Sequence, residues 1–147
     1  MTSPTRGLAA GTLAAVLALA GCGALDNLPR LERTLDDASG SAEIVVSDLV
    51  PNATKIAIVC PYIGFRAADL FGREVFKGYE DTAEGSNWFV WESEKGALVK
   101  EELSRTKVEM CGGDNGVGGL LELAPNQTLV FEEDSTGAPN WRLTGVR

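Results

Sequence analysis

The sequence predicts an α+β fold, with short N-terminal helices followed by a mostly antiparallel β-sheet. Three observations lead there. Apolar residues at helical spacing occur only in the first half of the chain. Strand-like runs separated by Gly and Pro turn signals fill the second half. No internal repeat or further domain boundary interrupts either part. Helices first and strands after is the order of an α+β layer architecture.

Asn27 is placed to cap a first helix, with Pro29 in its opening turn. Leu28, Leu31 and Leu35 then share one face, with Arg30, Glu32, Arg33 and Asp36 outside it. Ser39-Gly40-Ser41 ends that helix. Ala42 to Val50 is assigned to a second helix through Ile44, Val45, Leu49 and Val50, although its β-branched content also suits a strand. Pro51 stops it. Lys55 to Cys60 is a short continuous apolar run, which marks a buried strand broken by Pro61-Tyr62. Arg66 to Phe71 gives one or two helical turns, with Gly72 placed to end them. Arg73 to Gly85 reads as loop.

Trp88 to Glu92 is a strand, Ser93 to Gly96 a turn, and Ala97 to Leu103 the returning hairpin partner. Lys107 to Cys111 alternates, with Val108 and Met110 on one face. Gly112 to Gly119 is a loop rich in glycine. Thr128 to Glu133 and Trp141 to Val146 are the last two strands, joined by a turn over Asp134 to Pro139.

The N-terminus is organised differently. Met1 to Arg6 carries one basic side chain and no acid, and Gly7 to Leu19 is apolar and uncharged. That run falls short of the ~20 apolar residues that span a bilayer. A cationic start, a short apolar stretch and small residues before a cut site form a secretory signal. Leu19-Ala20-Gly21-Cys22 resembles the lipobox of bacterial lipoproteins. The resemblance implies that a signal peptide of residues 1–21 is removed and that Cys22 carries lipid. Residues 22–26 are then a tether and 27–147 a single α+β domain, at the cell membrane or envelope on its extracytoplasmic side. The acyl chains hold through buried methylenes, each contributing ~0.8 kcal/mol.

The chain has three cysteines. With Cys22 assigned to lipid, Cys60 and Cys111 remain as an even pair in an exported protein, and such a pair is expected to bridge. Beyond the lipobox, Lys55 to Cys111 resembles small envelope lipoproteins of uncharacterised function. Ile56 to Tyr62, Leu70-Phe71-Gly72 and Trp88 to Gly96 carry that resemblance, which implies one α+β domain and no particular activity.

Composition excludes several functions. The formal net charge is −8. Loss of Arg6 with the signal leaves twelve basic against twenty-one acidic residues, a net charge of about −9. Such a surface repels nucleic acid and anionic headgroups. With no His in the chain, Ser-His-Asp and Cys-His triads and His-based zinc sites are ruled out. Ser104-Arg105-Thr106-Lys107 matches the Ser-x-x-Lys spacing of penicillin-binding proteins and serine β-lactamases over four residues. Their Ser-Asp-Asn and Lys-Thr-Gly elements are missing, so the match carries no activity. Gly112 to Gly119 lacks the Lys of a phosphate-binding loop and contains Asp114. The acids at Asp36-Asp37, Glu101-Glu102 and Glu132-Glu133-Asp134 lack calcium-loop spacing. No cofactor and no metal are expected.

The aromatic strand stands out. Trp88 and Val90 point to one face, Phe89 and Trp91 to the other. Such a strand is either covered on both sides or offers an aromatic platform for a sugar ring, a peptide or another protein. Tyr62, Trp88, Trp91 and Trp141 are therefore the candidate binding residues. The expected function is a non-catalytic binding or structural module, held to the membrane through Cys22 and partnered by an envelope protein or cell-wall component. One alternative is an inhibitor of an exported hydrolase acting through Gly112 to Gly119. The other is a small carboxylate-based hydrolase, which requires an acid of raised pKa in a pocket.

Overall fold

The computed structural model describes residues 29–77, 83–112, 117–137 and 139–147. The signal segment, Cys22, the tether, the Asn27 cap and Leu28 lie outside them, as do residues 113–116 of the glycine loop. The elements run α1 (Arg30–Asp36), β1 (Ser41–Val45), α2 (Val46–Leu49), β2 (Ala53–Val59), α3 (Gly64–Phe71), β3 (Ser86–Ser93), β4 (Leu98–Ser104), β5 (Val108–Glu109), β6 (Leu120–Glu122), β7 (Thr128–Glu133) and β8 (Trp141–Val146). Among the described residues, three short helices and mostly antiparallel strands make this an α+β fold.

The strands divide between two four-stranded sheets, ordered β1-β7-β8-β5 and β4-β3-β2-β6. Alternation along β2 and β3 explains why both are apolar on two faces. Ile56 and Ile58 pair with Trp91 and Phe89, and all four enter a core shared with Ile44, Leu129, Phe131 and Leu143 of the other sheet. Ala57 and Val59 pair with Val90 and Trp88 on the opposite face. There they meet Ala67 and Phe71 of α3, together with Val75 and Phe76. The second sheet is thus covered on both sides. Phe89 and Phe131 are among the largest fully buried side chains, and truncating either to Ala would cost ~3–5 kcal/mol.

Helix α1 buries Leu31 and Leu35 in the shared core, as their spacing predicts. Pro29 at its N-cap offers no side-chain hydrogen bond. Glu101 on β4 supplies one, with Oε2 accepting the Arg30 N–H at 2.8 Å. Gly72 ends α3 at φ 68°, a left-handed conformation that glycine adopts without steric cost. The β3–β4 hairpin forms as expected, with Trp91 opposite Val99 and Phe89 opposite Glu101.

Two local expectations are corrected. Ala42 to Val50 is not one helix: Ser41–Val45 is strand β1, and only Val46–Leu49 is helical. Ile44 and Val45 pair with Leu129 and Thr128 of β7, so tertiary pairing decides a segment whose local pattern fits either state. Lys107 to Cys111 narrows to the two residues of β5, which lie parallel to β8. The sequence reading also has no counterpart for β6, which pairs with β2 through Ala57 and Glu122.

Asn87 joins the sheets at one end. It is fully buried, its Nδ2 donates to the carbonyls of Leu103 and Val108 at 3.0 Å each, and its Oδ1 accepts the Met110 N–H at 2.7 Å. Nearby, Cys60 at the end of β2 is bonded to Cys111 just after β5, with a Cα–Cα separation of 5.6 Å. The expected disulfide therefore crosses from one sheet to the other.

Candidate functional site

The disulfide forms the floor of the most promising surface. Pro61 and Tyr62 follow Cys60 in a tight turn, and Tyr62 adopts φ 64°. Bulky residues rarely take positive φ. The turn throws the Tyr62 ring outward, 51% exposed, and Phe65 in the first turn of α3 is 61% exposed. Beside Tyr62 lies a shallow cavity of about 250 Å³ whose walls include Pro61, Tyr62, Glu84, Arg105, Val117 and the disulfide.

Arg105 organises the rim. Its Nε and Nη2 converge on Glu109 Oε2 at 2.8 and 2.7 Å. Its Nη1 donates to the Glu84 carbonyl at 3.0 Å. Glu109 is buried, and its Oε1 accepts the Cys111 N–H at 2.8 Å. Arg105 is thereby paired with Glu109 while its side chain stays part-exposed at the cavity. The Tyr62 hydroxyl donates to Glu84 Oε2 at 3.3 Å. Desolvation, then the charge and hydrogen bond of Glu84, hold the Tyr62 phenol above its ordinary pKa, against the opposing charge of Arg105. The glycine segment is fastened at both described ends: Gly112 N–H donates to Val117 O at 3.2 Å and Cys60 N–H to Gly119 O at 2.9 Å.

The aromatic residues expected to act together sit in different surroundings. Trp88 is half-buried on the α3 face, edge-on to Phe76 at 5.2 Å, and its Nε1 is buried with no hydrogen-bond partner among the described residues. Trp91 is buried between the sheets, with the Arg30 guanidinium 5.2 Å above its ring. Trp141 is buried on β8, at the wall of a second cavity of about 200 Å³ with Glu32, Asp36, Lys107 and Asn140. Tyr62 alone of the four presents its ring to solvent. Sequence reading did not find Phe65, Glu84, Arg105 or Asn87. A polar residue inside an apolar strand was the available signal for Asn87; the others come together only through the fold.

The acids are placed as follows. Glu32 in the second cavity is buried and paired with the Lys107 ammonium, which raises the Lys107 pKa through the hydrogen bond and the charge. Ser104 shares a hydrogen bond with Thr106 at 2.9 Å, so neither end of the Ser-x-x-Lys match points to a common reacting centre. A third, open cavity of about 230 Å³ lies on the outer face of the first sheet between Glu132, Asp134 and Arg142. Asp134 is held below the ordinary carboxylate range, mainly by hydrogen bonds from the Thr136 side chain and backbone, with Arg142 adding to them. Burial pushes Glu101 up, opposed by the Arg30 N–H and charge. Glu101 lines none of these three cavities. Among the described residues no group of three His, Cys, Asp or Glu side chains is arranged to hold a metal ion. No helix among them is long and apolar enough to cross a membrane.

Comparison of the chain with protein-family models, with curated proteins and with solved structures found no match.

Proposed function

We propose that the chain is a lipid-anchored protein of the bacterial envelope, exposed outside the cytoplasm, whose body is a non-catalytic binding module. The observation that carries this reading is Leu19-Ala20-Gly21-Cys22 at the end of an uncharged apolar run. The Cys60–Cys111 bond supports it in two ways. It leaves Cys22 as the single remaining cysteine, and it suits an oxidising compartment.

The binding role is supported by how the reactive side chains are employed. The chain contains no His. Glu32 and Glu109 are held in ion pairs, and the acid of raised pKa, Glu101, caps α1. The exposed aromatic corner around Tyr62 is the surface best suited to a partner.

The test is feeding cells an alkyne-tagged fatty acid and fractionating them. The chain is expected to incorporate the tag and sediment with membranes. Cys22→Ala is expected to lose the tag and leave the membrane fraction. A Cys22→Ala protein that still carries the tag would refute the anchor.

A second reading is favoured by the fastening of the glycine segment at Gly112, Val117 and Gly119. Tying a segment at its flanks lowers the entropy cost of binding through it, which suits an inhibitor of an exported hydrolase. Replacing residues 113–116 with a Gly-Ser linker would abolish inhibition on this reading and leave it unchanged otherwise.

A further inference from the structure

Three features meet at the Tyr62 corner that the fold itself does not require. Tyr62 holds φ 64°, and backbone outliers of this kind gather at binding and switch sites. The Tyr62 ring is 51% exposed at the entry to α3 and lines the adjoining cavity together with Glu84. Glu84 makes no ion pair among the described residues; its carboxylate accepts only the Tyr62 hydroxyl there. The neighbouring cation, Arg105, is committed to Glu109.

An exposed carboxylate with no ion-pair partner among the described residues, bonded to the hydroxyl of an exposed aromatic ring, is complementary to a basic side chain. The geometry points to the Tyr62–Glu84 corner as the docking site for a basic segment of a partner protein. A Lys or Arg head would meet Glu84 while lying against the Tyr62 ring, where cation–π attraction adds to the ion pair. The adjoining cavity, walled by Pro61, Val117 and the disulfide, takes an apolar side chain next to that basic residue. The mature net charge of about −9 draws basic partners toward the surface and speeds encounter. Nucleic acid and anionic lipid are disfavoured by the same charge. This inference rests on the binding-module reading and names its partner chemistry.

The test is an NMR titration of the membrane-extracted protein in non-ionic detergent. The probes are a short peptide of Lys, Arg, Leu and Ala, and its counterpart with Asp and Glu for Lys and Arg. The basic peptide is expected to give saturable shifts concentrated at Tyr62 to Arg66 and Glu84. Glu84→Gln is expected to weaken binding about threefold or more. Tyr62→Gly, which keeps the turn, is expected to melt no lower than the native protein and to weaken binding by a similar factor. Glu132→Gln removes the same charge from the outer face of the first sheet and is expected to leave binding unchanged. Shifts spread over all acidic faces, equal losses for Glu84→Gln and Glu132→Gln, preference for the acidic peptide, or no saturable binding would each overturn the proposal. The titration reads the corner whether or not Cys22 is acylated, so failure of docking and failure of the anchor are separate results.

Discussion

Asn87 Oδ1 accepts the Met110 N–H at 2.7 Å, and this bond ties β3 of one sheet to the chain just beyond β5 of the other. The same amide donates to Leu103 and Val108, so one buried side chain satisfies three backbone groups. Asn87→Ala removes all three of these bonds from the interior. The expected loss is about 2–4 kcal/mol, because an orphaned buried group costs more than a made bond contributes. Urea unfolding measures it, and hydrogen exchange at Met110 is expected to accelerate. An unchanged midpoint would mean that the junction relaxes or takes in water.

The disulfide closes a loop between cysteines 51 positions apart. On the chain-entropy account, its removal in Cys60→Ala/Cys111→Ala costs about 4 kcal/mol. Both cysteines are nearly buried, so reduction of the native protein is expected to be slow without denaturant. Urea unfolding of the double variant checks the first expectation, and timed thiol labelling checks the second.

Much of this was legible from local pattern. The Lys55 to Cys60 run, the Gly72 stop and the hairpin over Gly96 each combine periodicity with a turn residue, and each formed as expected. Ala42 to Val50 failed because Ile44, Val45, Leu49 and Val50 satisfy helical spacing and strand propensity together; pairing with β7 decided it. Strand β6 follows a glycine run and has no local signature, since its register comes from β2. The division into two sheets depends on which strands meet, which alternation alone does not encode. For the site, Pro61-Tyr62 was visible as a break. The approach of Glu84 to Tyr62 and of Arg105 to Glu109 is tertiary and had no signal along the chain.

Tyr62→Gly removes a side chain from a left-handed backbone position. A residue with a Cβ loses roughly 1–2 kcal/mol there, while glycine gives back part through greater unfolded-state entropy. The net expectation is a gain in stability of up to about 1 kcal/mol, read by thermal and urea unfolding. A clear loss would show that the Tyr62 ring stabilises the fold through its contact with Glu84.

Glu101 and Asp134 give opposite pH signatures. The folded pKa of Glu101 lies above its unfolded value of about 4.3. Between the two, the folded state holds more protons, so this group adds stability as pH falls through its folded pKa. Asp134 has a lowered folded pKa; its contribution is full above about 3.9 and is lost as pH falls through the folded value. Glu101→Gln is therefore expected to steepen the loss of stability on acidification, and Asp134→Asn to make it shallower. Urea midpoints across the acid range test this, and curves parallel to the native protein for both variants would contradict it.

The central claim is an exported chain that carries lipid on Cys22 and a closed Cys60–Cys111 bond. Intact mass of the membrane-extracted protein, with and without reductant and alkylating agent, tests both parts at once. The account predicts a species running from Cys22 to Arg147 with acyl chains attached, unmodified by the alkylating agent until reduction and then modified at Cys60 and Cys111. An unacylated chain that begins before Cys22, or thiols alkylated without reduction, would contradict it.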